Sequence, residues 1–118
     1  MDLGLKDKLI IVTGGAKGIG EGIAKVLAGE GAIVAIVGRN EADNIQTVKT
    51  IQAAGEKAFQ VVAELTVPAE CEKAVKSIAE KYGRIDGLVN NAGVNDGVGL
   101  ENGNYPIGVA VAHPGPPE

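Results

Sequence analysis

Short apolar runs alternate with longer amphipathic stretches from Lys8 to Asn90. Leu9-Ile10-Ile11-Val12 is a continuous apolar run rich in β-branched residues, as in a strand buried on both faces. Ile33-Val34-Ala35-Ile36-Val37 and Ala58-Phe59-Gln60-Val61-Val62 repeat that character, and Ile85 to Asn90 forms a fourth run. Between them lie helical spacings. Ile19, Ile23, Val26 and Leu27 mark a first helix, stopped by Gly29 and Gly31. Ile45, Val48 and Ile51 mark a second, stopped by Gly55. Pro68 suits the first turn of a third, whose apolar stripe is Cys71, Val75, Ile78 and Tyr82, with Gly83 as its stop.

The order is β-α-β-α-β-α-β. Strands alternating with helices of this length predict an α/β chain with a parallel sheet and right-handed crossovers. The expected strand order is 3-2-1-4, the first half of a parallel doubly wound, Rossmann-like fold with one strand past the switch point. Ligands in such sheets bind at the carboxyl ends of the strands, here near the first and fourth. After Gly93 the pattern breaks, and four of the five prolines fall in the last 13 residues. Val109-Ala110-Val111 leaves room for a short strand, but Pro106 and Pro114 crowd it. Residues 95–118 are therefore expected to be a mostly irregular, Gly/Pro-rich tail.

Composition narrows the function classes. The chain of 118 residues is 45% hydrophobic and 22% charged, with formal net charge −4. That is a globular profile with no electrostatic footprint for nucleic acid or an anionic membrane. No apolar run is long enough to span a bilayer, and Met-Asp-Leu-Gly-Leu-Lys-Asp-Lys carries no apolar signal region. The single cysteine, Cys71, excludes an internal disulfide and fits a reducing cytoplasm. It lies on the apolar stripe of the third helix, where core packing is the reading. His113 is the only histidine and has no ligand-spaced partner, so no metal site is expected. Asp86 reads as a turn or strand-end hydrogen-bonder.

The candidate chemistry sits in Thr13-Gly14-Gly15-Ala16-Lys17-Gly18-Ile19-Gly20, between a buried strand and a helix. Glycines let such a turn tighten and let its backbone approach a pyrophosphate. The helix N-terminus then offers amide donors and a positive dipole end. The strand before and the helix after are the context this motif requires. The spacing Thr-Gly-x3-Gly-Ile-Gly, together with Leu88-Val89-Asn90-Asn91-Ala92-Gly93, resembles the short-chain dehydrogenase/reductase family. The segments Lys8–Thr13 and Gly83–Gly87 also resemble that family, over residues 3–104 in all. Val94 to Glu101 is similar to the family's sugar dehydrogenases, those acting on L-fucose among them.

The resemblance implies a nicotinamide dinucleotide along the strand ends. Residues 1–94 would form the dinucleotide-binding domain. Gly14, Gly18, Ile19 and Gly20 would line the pyrophosphate. Asn91, Ala92 and Gly93 would border the ribose of the nicotinamide half, while Asn90 reads as a tie between strand ends. Strand 2 ends in Val37-Gly38-Arg39-Asn40, without the acid that would accept from both ribose hydroxyls. Arg39 stands there, and a guanidinium matches a phosphate as a bidentate donor. Lys17 could reach the same 2′-phosphate. Basic residues at these two positions imply NADP, with NAD as the alternative. Glu64 occupies the place where the family commonly has an Asp beside the adenine, with Leu65 to pack on the ring.

The same resemblance implies a Ser and a Tyr-x3-Lys pair for hydride transfer between an alcohol and a carbonyl. The Lys lowers the Tyr pKa, which gives the spacing its physical reason. Here Tyr82 is followed at that spacing by Asp86, and Tyr105 by Val109. The only serine, Ser77, falls inside the third helix. No catalytic residue is therefore assigned, and no turnover is expected of this chain alone. The chain reads as the cofactor-binding half of a longer enzyme, shortened by truncation, frameshift or deletion. A non-catalytic nucleotide-binding module and a fragment without function are the alternatives. Its fourth strand would be an exposed edge, prone to self-association.

Overall fold

The computed structural model describes residues 4–91 and the strand Gly108–Ala110. Its elements follow in the order β1 (Leu9–Thr13), α1 (Gly18–Gly29), β2 (Ile33–Gly38), α2 (Glu41–Ala53), β3 (Lys57–Val62), α3 (Pro68–Tyr82), β4 (Gly87–Asn90) and β5 (Gly108–Ala110). The strand order is β3-β2-β1-β4-β5. The first four strands are parallel, as the alternating pattern predicts. β1 lies at the centre, with Thr13 level with Val37 on one side and Asn90 on the other.

Successive residues of β1 go to opposite faces. Ile10 and Val12 join Ala24, Ala28, Val48 and Ile51 in one core, beneath α1 and α2. Leu9 and Ile11 join Ala74 and Ile78 in a second core, beneath α3. This is why the strands read as unbroken apolar runs: both faces are covered. The chain builds from β1 outward to β3 and then returns past β1 to β4. With crossovers of one hand, that reversal puts α3 on the face opposite α1 and α2 and opens the switch point between β1 and β4.

Three expectations change. First, the inner face of α1 is Gly20, Ala24 and Ala28, whereas Ile19 and Val26 are 57% and 64% exposed. Ile23 and Leu27 lie at the boundary, packed against the first core. Small residues bring the helix backbone close to the sheet, and a wider stripe would hold it off. Second, β4 begins at Gly87, two residues later than the apolar run at Ile85. Asp86 precedes it and is tied to Leu9 twice: its N–H donates to the Leu9 carbonyl at 2.8 Å, and its carboxylate accepts from the Leu9 N–H at 2.8 Å. Third, β4 is not an edge. β5 pairs with it antiparallel, with Val89 level with Val109, so β4's outer backbone groups are bonded. The segment expected to be irregular thus supplies one short strand between Pro106 and Pro114. The rest of that segment, with Tyr105 and His113, lies outside the described residues, as do Ala92 and Gly93.

No helix among the described residues is long and apolar enough to cross a membrane. Among them, no three His, Cys, Asp or Glu side chains gather as a metal site. Cys71 is half-buried and directs its thiol to the Leu65 carbonyl at 3.5 Å. Burial pushes that thiol up from its ordinary value, and the charges of Glu70 and Glu64 push it further. Tyr82 stacks on Phe59 with ring centroids 4.6 Å apart.

Candidate functional site at the strand ends

The loop between β1 and α1 is shaped by its glycines. Gly14 and Gly18 have φ of 66° and 59°, a left-handed conformation that suits glycine. Gly20 meets a different demand. A Cβ there would overlap the Gly14 carbonyl and stand 2.5 Å from the Asn91 Nδ2. The loop therefore closes directly onto the first turn of α1. Lys17 is the N-cap residue, in extended conformation, and makes no side-chain bond to the first amides of the helix. Those amides have no partner within the helix itself, which leaves α1's first turn open to an acceptor.

Hydrogen bonds from distant segments hold this loop. The Asn91 Nδ2 donates to the Gly14 carbonyl at 3.2 Å, and the Asn91 N–H donates to the Thr13 Oγ1 at 3.1 Å. The Thr13 hydroxyl has one proton and two acceptors in reach, Asn90 Oδ1 at 3.0 Å and the Val89 carbonyl at 3.3 Å. Either acceptor ties β1 to β4, and the shorter contact is to Asn90. From α2, the buried Thr47 donates to the Ala16 carbonyl at 3.0 Å. Asn91 is only 1% exposed, so its side chain lies beneath the loop.

A cavity of about 440 Å³ opens beside the loop, over the ends of β1, β2 and β3. Its walls include Gly14 and Lys17 from the loop, Arg39 after β2, and Glu64 and Leu65 after β3. Five of the residues singled out in the sequence thus meet in one space. Gly18, Ile19, Gly20 and Asn91 lie outside this lining: Gly18 and the exposed Ile19 at the start of α1, Gly20 and Asn91 packed under the loop. Ala92 and Gly93 lie outside the described residues.

Charge in the cavity is mixed. Lys17 Nζ stands 3.1 Å from Asp43 Oδ2, on the first turn of α2. Arg39 is exposed. Glu64 turns back on its own loop, accepting from the Thr66 hydroxyl at 3.1 Å, while its backbone N–H donates to Glu70 at 2.7 Å. Asn40 caps α2 by accepting from the Asp43 N–H at 3.0 Å. Asn44 is fully buried and donates to the Gly38 carbonyl at 3.0 Å and to Gln60 Oε1 at 3.1 Å. Asp43, Asn44 and Thr66 were not singled out from the sequence. The Asn40-x-x-Asp43 spacing, a helix start signal, would have drawn attention to the first turn of α2.

The fit to an anionic nucleotide is physical. The cavity falls in the size range of small-molecule sites. A positive helix end beside the cavity, two basic side chains and an apolar wall at Leu65 suit, respectively, a phosphate, a phosphorylated ribose and a flat ring.

At the far end of the sheet, Asp86 is buried and held by Arg84 through Nε at 2.8 Å and Nη2 at 2.6 Å. Burial pushes the Asp86 carboxyl up. The Arg84 fork, the Leu9 N–H and the nearby positive charges outweigh it, so the net direction is down from the ordinary 3.8.

Comparison with known proteins agrees with this geometry. Residues 8–105 match the family described as short chain dehydrogenase. L-2,3-butanediol dehydrogenase of Corynebacterium glutamicum is 43% identical over 89 residues, covering 74% of this chain and 34% of that protein. The short-chain dehydrogenase/reductase homolog YusS of Bacillus subtilis is 34% identical over 97 residues, covering 81% of this chain and 89% of that protein. Among solved structures, L-sorbose reductase from Gluconobacter frateurii, complexed with NADPH and L-sorbose, superposes with a TM-score of 0.74 at 32% identity. That match covers 79% of this chain and 36% of the reductase. The chain spans between 34% and 40% of the length of the first curated relatives it matches. With a strand–glycine loop–helix unit in register and a family match over most of its length, the chain belongs to the short-chain dehydrogenase/reductase family.

Proposed function

We propose that this chain is the NADP(H)-binding part of a short-chain dehydrogenase-type oxidoreductase, and that binding rather than turnover is its own activity. One observation carries the reading: Gly14, Lys17, Arg39, Glu64 and Leu65, far apart in sequence, wall a single cavity at the strand ends. The bound NADPH of the related L-sorbose reductase supports a nicotinamide dinucleotide here. Gly14, Gly18, Ile19 and Gly20 would face the pyrophosphate with backbone amides. Arg39 and Lys17 would hold the 2′-phosphate, favouring NADP over NAD. Glu64 and Leu65 would take the adenine edge and face. Asn91 serves the site through Gly14, whose carbonyl it holds, and Ala92 and Gly93 would continue the ribose wall.

Bound NADPH would supply a hydride to a carbonyl carbon. The 118 residues contain no Tyr-x3-Lys pair to move the accompanying proton, so no turnover is expected of them. A reducing compartment such as the cytoplasm suits the lone thiol. Self-association would begin at β3, an outer strand of the sheet. Calorimetric titration with NADPH, NADH and 2′,5′-ADP tests the reading. Preference for the 2′-phosphorylated ligands, lost when Arg39 and Lys17 are both replaced, is the expected result. An absence of heat at millimolar ligand would reject it. Sugar or alcohol oxidation by the purified chain would overturn the assignment of binding alone.

A further inference from the structure

We propose that Asp43 sets the discrimination between 2′-phosphorylated and unphosphorylated nucleotides in this cavity, by competing with the 2′-phosphate for Lys17. The inference rests on the nucleotide-binding reading above and adds a residue that opposes the ligand.

Asp43 lines the same cavity as Lys17 and Arg39. Its carboxylate Oδ2 is 3.1 Å from the Lys17 ammonium. Its side chain is only one-third exposed, whereas that of Lys17 is mostly in solvent. The anchored partner is therefore the acid, and the mobile one is the cation. The backbone explains the anchoring. Asp43 sits in the first turn of α2, and its N–H is fixed by the Asn40 cap at 3.0 Å. The positive end of the α2 dipole further favours an anion at that position.

Lys17 thus has a resident counter-ion before any ligand arrives. A phosphate dianion between Lys17 and Arg39 gains two cations but must share one of them with a carboxylate a few ångströms away. Like charges in a partly solvated cleft repel. An unphosphorylated ribose carries no charge and meets no such opposition. Its hydroxyls can also donate to the Asp43 carboxylate. The same acid that weakens one ligand therefore leaves the other unaffected or helps it. Glu64, the other carboxylate of the cavity, is occupied by Thr66, so Asp43 is the acid engaged with the phosphate-binding cation.

The test compares 2′,5′-ADP with 5′-AMP, which differ only by the 2′-phosphate, on the full chain by equilibrium titration. Asp43→Asn keeps the shape and removes the charge. It is expected to tighten 2′,5′-ADP roughly threefold to tenfold while leaving 5′-AMP unchanged or weaker. Asp43→Ser, another neutral residue suited to a helix start, gives the same answer if the amide perturbs folding. Asp43→Glu, which keeps the charge, is expected to show no such gain. An unchanged ratio of the two affinities in both neutral variants overturns the inference and leaves the nucleotide reading standing. A loss of 2′,5′-ADP binding also overturns it, because Asp43 would then be positioning Lys17 for the phosphate. If the unaltered chain binds neither ligand, the nucleotide reading fails and takes this inference with it. A gain confined to low salt supports it, since the opposition is electrostatic.

Discussion

At the loop end of the cleft, Asn91, Thr13 and Thr47 hold the backbone through buried or half-buried hydrogen bonds. At the other end of the cleft, Lys17 and Asp43 meet as an ion pair whose cation is mostly in solvent. The first arrangement is steric and neutral, and it leaves little room for alternatives. The second is electrostatic and screened, and each partner can be exchanged for a ligand. The shape of the glycine loop is therefore tied to stability. The charge of the Lys17–Asp43 end, on the proposed reading, would bear on specificity and cost the fold little.

Gly20→Ala strikes the loop end hardest. The added Cβ overlaps the Gly14 carbonyl and crowds the Asn91 amide, both backed by buried structure. Overpacking of this kind costs about 1–3 kcal/mol or more, and here it also reshapes the loop. Thermal melting should show a clear fall in Tm together with lost nucleotide affinity. A variant with wild-type Tm and affinity would mean that the close approach is not obligatory.

Asn91→Leu comes next. It leaves the half-buried Gly14 carbonyl without its side-chain donor, beside a fully buried position. An unsatisfied buried polar group costs about 1–3 kcal/mol, partly recovered here by the apolar replacement. Urea unfolding should lower the midpoint with little change in slope.

Arg39→Ala addresses the other end and should separate the two properties. The side chain is exposed, so stability should stay within about 0.5 kcal/mol. Affinity for 2′,5′-ADP should drop about tenfold, equivalent to ~1.4 kcal/mol. Equal losses of stability and affinity would erase the distinction drawn between the two ends.

The smallest expected effect lies away from the cleft and depends on pH. Burial pushes the Asp86 carboxyl up, while Arg84, the Leu9 N–H and nearby charge pull it down and prevail. Because the folded value lies below the ordinary 3.8, the stabilisation is complete above that pH and is lost as pH falls through the folded value. Asp86→Asn should flatten the acid limb of stability against pH in that window. With burial opposing the Arg84 and Leu9 contacts, the change should be slight beside that of Gly20→Ala. An identical acid limb in both chains would exclude Asp86 as a contributor.

Much of the sheet was legible because its signals are local. Leu9–Val12 and Ile33–Val37 read as strands covered on both faces, and two cores do cover them. The helix of Ile19, Ile23, Val26 and Leu27 was legible, but its inward face was not. Gly20, Ala24 and Ala28 carry so little apolar surface that a hydrophobic stripe outranks them, although closeness to the sheet favours them. In the site, Lys17 and Arg39 were legible as cations. Asp43 was not, because an acid in a first helical turn is ordinary until its neighbour is known. The strand Gly108–Ala110 was legible only as room for a short strand near Val109–Val111, because its pairing with β4 joins segments far apart in the chain.

The sequence by itself determined the element order, the parallel sheet and the glycine loop. These depend on period and turn chemistry within a few consecutive residues. The tertiary structure alone decided which face of α1 is inside, which acid answers Lys17, and that Asn91 holds Gly14 across 77 positions of chain. Those outcomes follow from strand register and helix placement, and no short stretch of residues carries that information.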